Sequence, residues 1–413
     1  MDDIGQWIRK NMRIFYLSSI AFTLGSCFLD GGYVQSFLIR IGLSTMEIGV
    51  FGASSQLAAL LGYGLFLLYR PGRRERYVRG IAWFGFSAAA LPAVLMGAAW
   101  TRVSVCVIYA GAAAYQLGTA LRASCEYSAT PMLYPRERYG RMSARCGMAG
   151  AGLAALVSAV GASFLAGGDC QYTAFFALAL LGLLAGAVSA WGYAPVPGLD
   201  ADEKADGTFA AKSAASRLAW LLLPHLLRGA ASACFYYFVS ISLRSVALSP
   251  LGQSAFVTVG VAGAMAACLV FIRLQDRFRT GIIIFWSNAV TAAAVVWTCL
   301  NASEAGFFAL YALYTLSVNV TAYAVPAGVI YNTASDDLPF ISSARMLVMS
   351  GASCALMTPV AGLLEAAPAW AVMTAGGAAY ILSGALFAFQ YTDSLKGRGQ
   401  GGSATADPHR QRR

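Results

Sequence analysis

Residues 127–147 read YSATPMLYPRERYGRMSARCG and residues 331–351 read YNTASDDLPFISSARMLVMSG, two stretches with one register between them. Tyr127, Pro135, Arg141, Met142 and Gly147 recur 204 residues later as Tyr331, Pro339, Arg345, Met346 and Gly351. Leu43 and Ser44 recur as Leu248 and Ser249, at an offset of 205. A register that persists over this distance marks a chain built from two related halves.

The halves are apolar. Hydrophobic residues make up 58% of the 413-residue chain and charged residues 12%, with a mean hydropathy of +0.62. A bilayer core about 30 Å thick needs roughly 20 apolar residues per helix. Such runs span approximately Ile14 to Phe37, Ile48 to Leu68, Ile81 to Trp100, Val103 to Ser128, Gly147 to Ala166 and Thr173 to Tyr193. Six more span approximately Leu218 to Leu243, Ala255 to Ile272, Ile282 to Leu300, Gly306 to Ile330, Met346 to Leu364 and Ala369 to Phe389. The runs are continuous rather than alternating, which excludes spanning strands. The expected fold is an all-α membrane protein of twelve transmembrane helices in two pseudo-symmetric six-helix bundles. The bundles occupy 14–193 and 218–391. Residues 1–13 form an amino-terminal segment, the polar stretch 194–217 a linker, and 392–413 a tail expected to be disordered.

Basic loop residues set orientation. Of the 29 Lys and Arg residues, all but Arg40, Arg102, Arg122, Arg228 and Arg244 fall in the amino-terminal segment, alternate loops, the linker and the tail. Both termini are therefore expected in the cytoplasm, in a multi-pass protein of the plasma or bacterial inner membrane. The net charge of +10 is spread over loops beside membrane helices, which suits anionic headgroups and argues against nucleic acid. The first apolar run is too long for a cleavable signal and holds Asp30. The nine cysteines form no closely spaced pairs, and His225 and His409 are the only histidines, so neither a metal site nor a cofactor is expected. No phosphate-loop pattern is present.

Six plus six helices, a central linker and a recognisable loop after helix two resemble the major facilitator superfamily. That family's loop carries Gly, then Asp-Arg-x-Gly-Arg-Arg; here it reads Tyr69-Arg70-Pro71-Gly72-Arg73-Arg74, without the acidic residue. The second half keeps Asp276 and Arg277 but has Arg279 where glycine is usual. The resemblance implies gating by Arg70, Gly72, Arg73, Arg74, Asp276 and Arg277, and a central cavity lined by the first, fourth, seventh and tenth helices. Two family features are missing: the arginine of helix four, absent at Ala113 and Ala114, and the Gly-Pro pair of antiporters, absent near Gly147, Gly150 and Gly152.

Those four helices carry polar stripes at helical spacing. Helix one offers Ser19, Thr23, Ser26, Asp30 and Tyr33, and helix four Tyr115, Thr119, Arg122 and Glu126. Helix seven offers His225, Arg228, Ser232 and Tyr236, and helix ten Tyr311, Thr315, Asn319 and Tyr323. The intervening third, sixth, ninth and twelfth runs lack central charges and should face lipid.

A charge at mid-bilayer costs about 2.5–3.5 kcal/mol on insertion scales. Asp30 either exchanges protons as the cavity opens or caps a break before Gly31 and Gly32. Glu126 is a second coupling candidate, and it is also spaced to pair with Arg122 on one helix face. Arg228 is the preferred anchor for a carboxylate or phosphate, because guanidinium holds such oxyanions in bidentate fashion. Asp30 is an alternative partner for it. His225, Tyr33, Tyr115, Tyr236, Asn319 and Tyr323 complete the expected substrate site.

The expected activity is secondary transport of a small anionic or polar metabolite, coupled to protons, by a chain that acts as a monomer. Proton antiport of drugs is the alternative within transport. A non-transporting sensor and a membrane-embedded transferase are the alternatives outside it.

Overall fold

The computed structural model describes residues 2–29, 31–68, 75–135, 138–164, 169–196, 215–246, 250–301, 303–333 and 337–391. Among them are fifteen helical segments and no strand. The first half contains α1 (Asp2–Cys27), α2 (Gly31–Arg40), α3 (Thr45–Leu68), α4 (Glu75–Ser87), α5 (Ala90–Trp100), α6 (Val105–Leu133), α7 (Tyr139–Phe164) and α8 (Asp169–Ala190). The second contains α9 (Ala215–Phe235), α10 (Phe238–Ser245), α11 (Pro250–Leu274), α12 (Thr280–Leu300), α13 (Glu304–Asn332), α14 (Leu338–Ala366) and α15 (Ala369–Gln390).

Helix boundaries follow local chemistry. α2 stops where Gly42 takes φ +96°, with its N–H on the Ile39 carbonyl and the Leu43 N–H on the Leu38 carbonyl. This reciprocal closure satisfies carbonyls that the helix end would otherwise orphan. α3 then starts with a capping box: the Glu47 N–H donates to Ser44 Oγ, and the Ser44 N–H donates to Glu47 Oε2 at 2.7 Å. α4 and α5 are separated only by Ala88 and Ala89, and α9 and α10 only by Tyr236 and Tyr237. Tyr237 bonds back three residues to Cys234 instead of four, tightening the turn at that break.

The exterior is apolar in a way water does not tolerate. Among the described residues, nine helical stretches are long and apolar enough to cross a bilayer. α1 and α6, which carry polar stripes, are not among them. All eight tryptophans are exposed. Trp83, Trp191, Trp220 and Trp286 lie toward one end of the bundle, and Trp100, Trp297 and Trp370 toward the other, as in the aromatic belts of proteins immersed in lipid.

The first of these ends is fixed by Asn11, whose Nδ2 donates to the carbonyls of Leu133 (3.2 Å) and Ala194 (2.7 Å). It thereby ties the start of α1 to the ends of α6 and α8, and is called the linker end below. The opposite end carries Ser36, which pairs with the Tyr172 hydroxyl at 3.2 Å, and Tyr109, which donates to the Glu47 carbonyl.

Within the first half, α1 packs on α7 and α8, and α6 on α3 and α4. Glycines set the closest approach: a Cβ on Gly182 would lie 2.8 Å from the Ala21 carbonyl oxygen, and one on Gly25 2.8 Å from that of Ala179. Small residues let these backbones meet where side chains would separate them. The second half repeats the plan, with α12 on α13 and α15, and α9 on α14 and α15. The halves meet along α3 against α14 and α7 against α11.

Matched lengths mark the duplication. α6 and α13 have 29 residues each, and α8 and α15 have 22 each. The starts of α6 and α13 are displaced by 199 positions, as are those of α7 and α14, rather than by the 204 of the sequence identities. Pro339 lies inside the first turn of α14, whereas Pro135 precedes α7, so identical residues sit at different depths in the two helices.

Candidate functional site

Among the described residues, two cavities lie between the halves. The first, about 240 Å³, is walled by α1, α2, α7, α11 and α13. Thr23, Ser26 and Tyr33 reach it from the first half, and Tyr311, Thr315, Asn319 and Tyr323 from α13. The whole polar stripe of α13 therefore faces one space, as helical spacing predicts. Asn319 Nδ2 donates to the Thr315 carbonyl at 2.7 Å. Tyr33 is buried and stacks on Tyr172 with ring centroids 5.1 Å apart. Its hydroxyl is buried without a hydrogen-bond partner, which leaves it a polar group to offer a ligand. Phe22 and Phe256 add apolar wall.

The second cavity, about 260 Å³, shares Tyr311 with the first and is bounded by α2, α3, α9, α10, α13, α14 and α15. Arg228, Ser232 and Tyr236 line it, from the stripe of α9 and the break after it. The Arg228 guanidinium lies 5.9 Å from the Tyr380 ring centroid. Among the described residues no carboxylate lies within 4 Å of it. Gln35, Gln56 and Ser353 line the same cavity. Gln35 Nε2 donates to the Tyr236 carbonyl at 2.8 Å, yet Gln35 Oε1 and Ser353 Oγ are buried and unpartnered. A cation that shares a cavity with unsatisfied amide and hydroxyl groups is suited to an oxyanion that has further polar substituents.

Other expected site residues lie elsewhere. Arg122 and Glu126 pair at 3.3 Å along α6, and the Arg122 guanidinium sits 3.7 Å from the Phe22 ring centroid. Neither they nor Tyr115 lines either cavity. Tyr115 packs beside the apolar core of the first half. His225 is buried with its ring edge-on to Phe387, 5.0 Å away, and also faces neither space. Asp30 lies outside the described residues, as do Arg70, Gly72, Arg73 and Arg74. The described residues contain no cluster of three or more His, Cys, Asp and Glu side chains able to hold a metal.

Polar contacts bridge the halves at both ends. At the linker end Arg141 meets Asp276 at 2.6 Å, Ser343 Oγ donates to Ser124 Oγ at 3.1 Å, and buried Arg345 lies 5.4 Å from the Tyr127 ring centroid. At the opposite end the Tyr236 hydroxyl donates to the Ile48 carbonyl at 3.3 Å. Arg277 is exposed beside Asp276. The Arg141–Asp276 pair is open to solvent and worth at most about 1 kcal/mol. Asp276→Asn is expected to shift the balance between arrangements of the halves no more than about fivefold. Spin-label distances across the linker end measure that shift.

Sequence reading passed over Gln35, Gln56, Ser353 and Arg345. Arg345 had one signal, its match to Arg141 in the repeat. The three neutral residues belong to none of the polar stripes and had no signal.

No protein-family model matches the chain, and no curated protein matches it. Solved structures do. The E. coli proton:xylose symporter, a major facilitator superfamily protein, is 13% identical with a TM-score of 0.64, the match covering 95% of this chain and 97% of that one. A bacterial homologue of the iron transporter ferroportin is 14% identical with a TM-score of 0.65, covering 92% and 99%. The human organic anion transporter MFSD10 is 16% identical with a TM-score of 0.60, also covering 92% and 99%. At such identities the likeness is one of fold.

Proposed function

Starting from a chain that has the major facilitator fold, we propose that it is a secondary transporter for a small anionic organic solute. The fifteen helical segments read as twelve membrane spans when α1 with α2, α4 with α5, and α9 with α10 are each taken as one interrupted span. Both termini then lie on the cytoplasmic side of a cell membrane. The solute binds between the halves, and rocking of one bundle on the other exposes it to each side in turn.

The observation that carries this reading is Arg228, a cation held inside a membrane protein without a described carboxylate partner and facing a cavity between the halves. A charge so placed is costly, and an anionic solute offsets that cost. Gln35, Gln56 and Ser353 serve the solute's neutral polar groups. The rings and hydroxyls of Tyr33, Tyr311 and Tyr323 suit its uncharged body.

Coupling is assigned to protons through Asp30, with Glu126 as a second carboxyl whose release from Arg122 would accompany rocking. The test is solute accumulation in vesicles under an imposed pH gradient. Asp30→Asn is expected to abolish accumulation against a gradient while leaving downhill exchange. Accumulation equal to that of the parent protein would remove Asp30 from the coupling role.

A further inference from the structure

On the outer surface of the first half, away from both cavities, a crevice of about 620 Å³ opens between α3, α4 and α6. Leu65 and Phe66 form one wall, Trp83 and Phe84 another, and Leu121 the third. The volume would hold many water molecules, but among these side chains the Trp83 indole N–H is the one group that water could bond. The crevice is shaped for a long apolar group rather than for an ion.

Among the described residues its charge lies on α4. Arg76 and Arg79 line it, and with Gly80 and Trp83 they follow steps of three, one and three, which is one helix face. Both arginines are exposed. Neither has a carboxylate within 4 Å among the described residues. Gly80 brings α4 close to α6, since a Cβ there would stand 2.5 Å from Cys125 Sγ. The crevice therefore has a closed apolar floor and, in the first turns of α4 toward the linker end, two cations with no described carboxylate partner. Trp83, edge-on to Trp191 at 5.1 Å, fixes the level of the aromatic belt beside it.

We propose that this crevice binds one anionic glycerophospholipid, with its phosphate on Arg76 and Arg79 and an acyl chain between α3, α4 and α6. Charge complementarity selects the headgroup, because guanidinium holds phosphate through paired hydrogen bonds. The apolar walls select the chain.

The test is native mass spectrometry of the full chain in a nonionic detergent with equal phosphatidylglycerol and phosphatidylcholine. The parent protein is expected to retain phosphatidylglycerol preferentially. Losing two basic contacts, in Arg76→Gln with Arg79→Gln, is expected to weaken that retention about thirtyfold. Leu65→Trp fills the crevice without changing charge and is expected to weaken it as well. Leu65 is 51% exposed, so the larger ring does not disturb the core. Arg145→Gln, at an exposed arginine of α7, should leave retention unchanged. Inorganic phosphate at the lipid's concentration should not displace it. Unchanged retention in the double variant or in Leu65→Trp would overturn the proposal. Displacement by phosphate alone would do the same.

Discussion

Arg228→Gln is expected to weaken binding of an anionic solute roughly ten- to 150-fold, the span of a charge-assisted hydrogen bond worth ~1.5–3 kcal/mol. Arg228→Lys should fall between, because an ammonium keeps the charge but lacks the planar fork. Thermal stability should move the other way. A cation without a described carboxylate partner in the membrane interior is a cost to the folded protein, so the glutamine variant should unfold no earlier than the parent when no solute is present. Were Arg228 a structural strut, its removal would lower the unfolding midpoint and leave ligand-induced stabilisation proportionate. Thermal shifts of both proteins across a panel of carboxylates and phosphate esters distinguish the two.

A second large effect is expected at Gly52. A Cβ there would stand 2.6 Å from Cζ of Tyr236 and 2.9 Å from its hydroxyl oxygen. Tyr236 cannot yield easily: its carbonyl accepts from Gln35, and its hydroxyl donates to Ile48. Gly49, one turn earlier on α3, leaves similar room for the Tyr237 hydroxyl, 2.6 Å from where its Cβ would be. These glycines thus form the seat in which the α9–α10 break closes against α3. Gly52→Leu should evict Tyr236 and hold that end apart, cutting transport by about five- to 150-fold, since ill-fitting bulk in a packed interface costs ~1–3 kcal/mol. Cys27 lines the first cavity. In a background that keeps only this cysteine, its reaction with a membrane-impermeant thiol reagent from that side should accelerate in the leucine variant. An unchanged rate would mean that Tyr236 takes no part in closure.

Much of this arrangement is legible in the sequence, and the misses have physical reasons. The α13 stripe is read completely: Tyr311, Thr315, Asn319 and Tyr323 all face the first cavity. The stripe of α6 has the same spacing, and its residues line neither cavity. Period identifies a face but not what covers it, and here Phe22 of α1 lies over Arg122, which Glu126 neutralises. His225 shares the spacing of Arg228 but falls on the side of α9 turned to Phe387 of α15. Arg345 reads as a loop residue because the apolar run begins only at Met346. α14 begins at Leu338 with the proline in its first turn, where a missing N–H costs nothing, and so draws the guanidinium into the interface. Gln35 and Gln56 carry no sequence signal, since each sits beside serines in its run without extending a stripe at helical spacing. The exposed tryptophans are a signal that composition alone conceals, because it is their positions at helix ends that speak of lipid.

Rocking of the halves is the claim on which the other assignments depend, and paired distance measurements test it most directly. Spin labels at Arg138 and Arg277 report on the linker end, and labels at Ile41 and Ser303 on the opposite end, with all four sites outside the cavities. Addition of a solute that stabilises the protein should shift the two distance distributions in opposite senses, one end closing as the other opens. Distributions that do not move, or that move together, would contradict alternating access in this chain.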